Sequence, residues 1–220
     1  MTSRLKIDFV SDVVCPWCAV GLGGLEQALQ RLQGEVEAEL HFQPFQLNPQ
    51  MPPEGEDIVE HLQRKYGATP EQQAANWQGI RERAAAASFE FRAEGRGRTW
   101  NTFDAHRLLH WAGEQGGDAQ HRLKRALLEA YFGRAENPAA PEVLLAAARA
   151  AGLDEAGARA VVESDAHAAD VRRQQQFYAQ AGITAVPSVI VNDQYLIQGG
   201  QPAQAYEQAL RQIAGQAAAG

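Results

Sequence analysis

The sequence predicts an α/β fold, a small mixed β-sheet unit interrupted by a large helical insertion. Three observations carry that expectation. The chain opens as strand, helix, strand; it then keeps a helical period from about Asp57 to Gln180; and two strands and a helix return at the end. Strand-to-helix crossovers at the start imply parallel neighbours, whereas a terminal hairpin implies an antiparallel edge, so the sheet is expected to be mixed.

"RLKIDFV" (4–10) sets Leu5, Ile7 and Phe9 against Lys6, Asp8 and Val10, the period of two of a first strand. After Pro16, residues Cys18, Leu22, Leu25, Leu29 and Leu32 recur every three or four positions and mark one face of a helix that Gly34 can end. Gly21, Gly23 and Gly24 each lower its propensity by about 1 kcal/mol, so packing must hold its early turns. "EVEAELHFQPF" (35–45) reads as a second strand and "NPQMPPEG" as a Pro-rich connection. Helical segments follow at 57–67, 69–87, 101–115, 118–133, 140–152 and 154–182, several opening on Asp, Asn, Thr or Pro and most stopping at Gly. "PSVIV" and "QYLIQ" flank Asn192-Asp193, a tight-turn pair, and form a hairpin before a last helix from Pro202 to about Ile213. Only the tail "GQAAAG" reads as frayed. The expected organisation is a sheet unit of residues 1–55 and 178–220 around a helical insertion of residues 56–177.

A chain of 220 residues can bury a full core without crosslinks. Its formal charge of −7 argues against nucleic acid and anionic membrane surfaces, which reward clustered Lys and Arg. No apolar run approaches the length of a membrane span, and strand-like alternation by Leu5 leaves no apolar stretch of the signal-peptide kind. The expectation is a cytoplasmic protein whose partners are proteins or small molecules. Oligomeric state is not legible.

The chain has 2 cysteines, both in "VVCPWCAV" (13–20). A disulfide there closes too few residues to stabilise the fold appreciably, and a reducing compartment disfavours it. A zinc site needs further ligands, of which His106 and His110, at i and i+4, are the best candidates. Yet Ala105, Leu108, Leu109 and Ala112 make a buried stripe that leaves both histidines on a polar flank. The redox reading uses every local feature. Pro16 suits the first helical position, which puts Cys15 at the N-cap, facing unpaired amides and the positive end of the helix dipole. That position makes Cys15 an exposed nucleophile of depressed pKa, while Cys18, on the buried stripe, keeps a normal or raised one. One thiolate attacks and the other thiol resolves. Trp17 can cover the sulfurs or offer a flat contact to a peptide. Pro187, in "GITAVPSVIV", starts a strand expected to lie near this helix terminus.

Together these residues look like the thioredoxin superfamily in its DsbA-like branch: CPxC after the first strand, a helical insertion, and a Val-Pro pair before a late hairpin. Within that branch the chain resembles the FrnE-like cytoplasmic dithiol/disulfide oxidoreductases, related to polyketide-synthesis isomerases, through "DFVSDVVCPWC", "FQPFQLNPQMPPEG", "NTFDAHRLLHWA", "EAYF" and "GITAVPSVIVNDQYLIQGGQPAQAYEQAL". The resemblance implies a thioredoxin fold, Cys15 as nucleophile, Cys18 as resolving thiol, Pro16, Trp17, Val186 and Pro187 around the substrate, and a cis Val186–Pro187 bond. It implies protein or small thiol/disulfide substrates and no organic cofactor beyond the dithiol. Two departures stand out: this chain lacks the extra C-terminal cysteines of some relatives, and Ala19 replaces an aromatic residue that often follows the motif.

The same superfamily holds glutathione-dependent kappa-class transferases and 2-hydroxychromene-2-carboxylate isomerases, so the alternative expectation is a glutathione-dependent transferase or isomerase of that type, with glutathione as co-substrate. Asn101 looks like a residue near their glutathione site, although a helix N-cap with Asp104 three positions on is the favoured explanation. Arg92, Arg96 and Arg98 in "RAEGRGR" could meet glutathione carboxylates or form a solvated turn. A buried carboxylate beside the resolving cysteine would move its proton; Asp8 is favoured by position over Asp12.

Overall fold

The computed structural model describes residues 2–217. At its centre lies β1 (Ser3–Ser11), whose residues from Ile7 onward are buried, as befits a strand covered on both faces. The second strand, β2 (Val36–Pro44), pairs with it in parallel, Ser3 opposite Val36 and Ser11 opposite Pro44. On the other side β5 (Ser188–Val191) pairs antiparallel, and β6 (Tyr195–Gln198) closes the edge, giving the order β2-β1-β5-β6. The sheet is mixed as expected. Residues 192–194 connect β5 to β6; Asn192 and Asp193 are both left-handed, at φ 53° and 56°, and Gln194 N–H closes the turn on the Val191 carbonyl at 3.1 Å, as in a type I′ turn.

Between β1 and β2 runs α1 (Pro16–Arg31), which packs beside α9 (Ala203–Ala217). Leu5, Ile7 and Phe9 share a core with Cys18, Leu22, Leu25, Tyr206 and Leu210. The glycines of α1 are contact points. A Cβ on Gly23 would fall 1.9 Å from the Ala87 carbonyl oxygen, and one on Gly24 would fall 2.4 Å from that of Gln201. Close approach to distant backbone replaces the propensity these residues lack. α9 extends past Ile213 into the tail expected to fray, whose remaining residues, 218–220, lie outside the described ones.

From β2 to β5 the chain is almost wholly helical: α2 (Ile58–Tyr66), α3 (Pro70–Ala86), α4 (Phe103–Glu114), α5 (Ala119–Leu128), a π turn (Glu129–Gly133), α6 (Pro141–Ala150), α7 (Glu155–Val162) and α8 (Ala168–Gln180). Two features depart from the sequence reading. A two-stranded ladder joins β3 (Glu56–Asp57) to β4 (Arg98–Thr99), too short to show a period. The segment 154–182, read as one helix, is two. Arg107, buried on α4, donates to the carbonyls of Val161, Ser164 and Ala166, satisfying acceptors that end α7. The chain then re-enters α8 through His167 at φ 60°.

Candidate functional site: a dithiol at the start of α1

The short stretch 12–14 carries the chain from β1 to α1, where Cys15 is the N-cap, extended at φ −92° and ψ 115°, and Pro16 is the first helical residue. Both thiols are free. Cys15 is only 4 % exposed, which corrects the expectation of an open nucleophile. Its covering comes from the other end of the chain: Cys15 Sγ lies 3.8 Å from the Val186 carbonyl oxygen, to which its thiol donates. The Val186–Pro187 peptide is cis. Pro187 accepts from Gly199 N–H at 2.8 Å and presses on Gly21, where a Cβ would come within 2.9 Å of its ring. Trp17 is half-buried, with the Arg83 guanidinium 5.3 Å from its ring centre.

The two sulfurs differ electrostatically. The Cys18 thiol donates to a Cys15 thiolate and is the largest influence on it; burial opposes, the Cys18 and Trp17 amides assist, and the Asp12 charge opposes. The balance holds Cys15 below the ordinary thiol value. Burial, followed by the bond to and charge of Cys15, pushes Cys18 well above it. The position of Cys15 at a helix N-terminus explains part of this asymmetry, and the neighbouring thiol explains more.

The carboxylate beside the dithiol is Asp12. Asp8, favoured on sequence, shares a sheet face with Val10 and Tyr178, accepts from Gln43 Nε2 at 2.5 Å, and pairs with Lys6 at 3.2 Å. Strand alternation turns it away from α1. Asp12 is fully buried and accepts from the Val13 and Leu47 amides, each at 2.7 Å. His106 Nε2 stands 3.4 Å from Asp12 Oδ1 and 3.0 Å from the Phe45 carbonyl oxygen. Burial works against the Asp12 charge, but His106, the Leu47 amide and Thr102 outweigh it and hold the carboxyl below its usual range.

His106 is thus buried, not on a polar flank, and its place is against Asp12. His110 stands apart from the cysteines: its Nε2 and His167 Nδ1 face Glu114 Oε1 at 3.5 and 3.7 Å. The pairing of both histidines with the cysteines, on which the zinc reading rests, does not form. Asn101 makes an Asx turn rather than the N-cap, which is Thr102. Its Oδ1 accepts from Phe103 N–H at 2.9 Å and from Gln46 at 3.0 Å, and its amide donates to Met51 at 3.1 Å. Asp104 binds Arg107 instead. The arginine loop is largely exposed, as a solvated turn would be, but its side chains are anchored: Arg92 donates to the Arg134 carbonyl, Arg98 to those of Glu54 and Gly55, and Arg96, half-buried, to that of Val14 at 3.3 Å while lying over Trp77.

Sequence reasoning missed Lys124, a fully buried lysine on α5. A signal was present: Lys124 stands three and four residues before Leu127 and Leu128, on the apolar stripe.

Residues 6–211 match the family profile described as a DSBA-like thioredoxin domain. A solved structure of a probable DsbA oxidoreductase from Streptomyces coelicolor is 33% identical, with a TM-score of 0.85 over 96% of this chain and 90% of that one. An uncharacterized Bacillus subtilis protein, YwbO, is 29% identical over 213 residues, 96% of each chain. The cytosolic disulfide reductase DsbM from Pseudomonas aeruginosa, solved with GSH, is 14% identical and shares the fold, with a TM-score of 0.64 over 94% of this chain and 98% of that one.

Proposed function

This chain belongs to the DSBA-like thioredoxin domain family, and on that premise we propose that it is a thiol-disulfide oxidoreductase whose working groups are Cys15 and Cys18. The observation that carries the reading is the geometry at the start of α1, Cys15 at the N-cap beneath Val186 of the cis Val186–Pro187 peptide and Cys18 one turn further in, with burial and the neighbouring thiol driving the two pKa values apart. Exchange needs that division of labour. The Cys15 thiolate attacks a substrate disulfide, one substrate sulfur leaves as a thiolate, and a mixed disulfide forms. Cys18 then loses its proton and attacks the Cys15 sulfur, releasing the second substrate thiolate. The enzyme dithiol is oxidised by two electrons and the substrate disulfide reduced to two thiols; reversal of the steps gives oxidation or isomerisation.

In this reading the Val186 backbone, beside Cys15, pairs with an extended substrate peptide as an added strand would, while Pro16, Trp17 and Pro187 wall the sulfurs. Substrates are protein or small-molecule disulfides, the dithiol is the only redox group, and a reducing compartment such as the cytoplasm keeps it reduced. Glutathione is the alternative small partner; Asn101, fully engaged in holding its own loops, lends it no support.

Two measurements on Cys18→Ser test the reading. Incubation with oxidised glutathione and with disulfide-bonded proteins is expected to leave an adduct on Cys15 that dithiothreitol removes, its mass telling glutathione from protein. The alkylation rate of Cys15 is expected to inflect below the free-thiol value of about 8.5. No adduct with either class, or an inflection at or above that value, refutes the proposal.

A further inference from the structure

Helix α5 carries its other basic side chains outward, each to an acid: His121 and Arg125 meet Glu26, and Arg122 meets Asp118. Lys124 points inward. It is 0 % exposed, and its Nζ has no hydrogen-bond partner among the described residues. The residues around it on α5, Leu123, Leu127 and Leu128, belong to the same core as Cys15 and Cys18. An ammonium buried without a partner is among the most unfavourable arrangements a fold can hold, and such a group sheds its proton unless negative charge stands nearby.

Two of the three groups whose charge opposes burial at Lys124 are the sulfurs of the dithiol, and the third is the constant Asp12 carboxylate. Burial pulls the Lys124 pKa down, and the charges opposing it are those of Cys18, Asp12 and Cys15, in that order. The other polar groups around the site are committed elsewhere. Asp12 is shared among two amides and His106 of α4; Arg96, from the 92–98 loop, binds the Val14 carbonyl; and the Tyr131 hydroxyl of the π turn donates to the Arg98 carbonyl. The charge facing Lys124 therefore changes chiefly with the redox state of the sulfurs.

We infer that Lys124 is the proton carrier of the dithiol, an ammonium in the dithiol state and a neutral amine in the disulfide state. The inference rests on the exchange chemistry proposed above. In the reduced site Cys15 is a thiolate, Cys18 a thiol and Lys124 an ammonium. When Cys15 attacks, its charge passes to the departing substrate sulfur, and Lys124 releases a proton that neutralises it. The free amine then takes the Cys18 proton, Cys18 displaces the second substrate thiolate from Cys15, and Lys124 hands this proton on to it. Two electrons and two protons leave the protein, one proton from Lys124 and one from Cys18, matching the two thiols formed. Lys124 ends as a neutral amine beside a disulfide.

Lys124→Met keeps the length of the side chain and removes the charge. The preformed mixed disulfide between Cys15 and a small thiol is expected to resolve about 10²-fold more slowly than in the wild type at neutral pH, and to recover as pH rises and Cys18 ionises without help. The same variant is expected to resist urea as well as or better than the wild type, because a buried unpaired amine has been replaced by an apolar group. A residue kept only for structure would give the opposite pattern. A second measurement needs no variant: with lysine labelled at Cε, the Lys124 resonance of the wild-type protein is expected to titrate at clearly different pH in the dithiol and disulfide forms. Resolution by Lys124→Met at the wild-type rate and with the wild-type pH profile overturns the role, as does a Lys124 titration independent of redox state. A wild-type protein that forms no mixed disulfide refutes the exchange reading itself.

Discussion

Asp12 ties the dithiol loop to the rest of the fold, and its carboxylate is held in charged form by bonds it loses on unfolding. Its folded pKa lies below the unfolded value of about 3.9, so the stability it adds is full above that value and is lost as pH falls through the depressed one. Asp12→Asn is expected to lower the unfolding free energy at pH 7 by roughly 1–3 kcal/mol for the buried partners left unsatisfied, and to flatten the stability loss between pH 5 and 2. Urea titrations across that range check both. The same substitution removes a charge that opposes the Cys15 thiolate. At this scale the cysteines were legible because their chemistry depends on residues two and three positions apart. Asp12 and Lys124 were not: the groups that give them meaning, at 47 and 106 and across the core at 15 and 18, are distant in sequence, and position on the first strand favoured Asp8 although the alternation of β1 sets it on the face opposite Ile7 and Phe9.

Elements were legible where a period ran long enough to repeat. β1, β2 and α1 to α6 emerge close to the expected bounds, and the hairpin turn follows from Asn192-Asp193. The division of 154–182 into α7 and α8 escaped because no Pro or Gly marks it; its cause is Arg107, from another helix. The glycines of α1 could be read as weak helix formers but not as contacts, since Ala87 and Gln201 are reached only in the fold. Gly23→Ala is a direct check of that contact. Its Cβ would meet the Ala87 backbone carbonyl, so α1 or the end of α3 must shift, at a cost of about 1–3 kcal/mol despite alanine's better propensity. Chemical denaturation measures it, and a stabilised variant would show that the contact yields freely.

The whole molecule converges on the dithiol from separate stretches of chain: the β1–α1 junction carries the sulfurs, residues 186–187 cover them, and α5 brings Lys124 from within the helical segment. The mixed sheet and the helical block were legible from the order of periods; the stripe spacing of Lys124 with Leu127 and Leu128 was there to be read too, but not that this stripe faces the dithiol. Redox potential belongs to this scale, because it measures how far the assembled structure favours dithiol over disulfide. Pro16 and Trp17 supply no cation within the motif, and the stabilising groups are the α1 amides, the Cys18 thiol and a buried lysine. Equilibration with glutathione buffers is expected to give a value between about −270 and −120 mV, and a value at or above the upper limit contradicts the absence of a cation in the motif.

The near-complete covering of Cys15 makes the reaction a matter of size as well as of nucleophilicity. A sulfur under the Val186 carbonyl admits a slim reagent more readily than a broad one. Iodoacetamide is therefore expected to outpace a bulky aromatic disulfide at Cys15 by more than their ratio on a free thiol of matched pKa. In a folded protein, a disulfide held in a rigid core cannot be threaded past Val186, whereas one in a loose or partly unfolded segment can. In the exchange proposed above, the covering is expected to sort substrates by local disorder before any bond is exchanged.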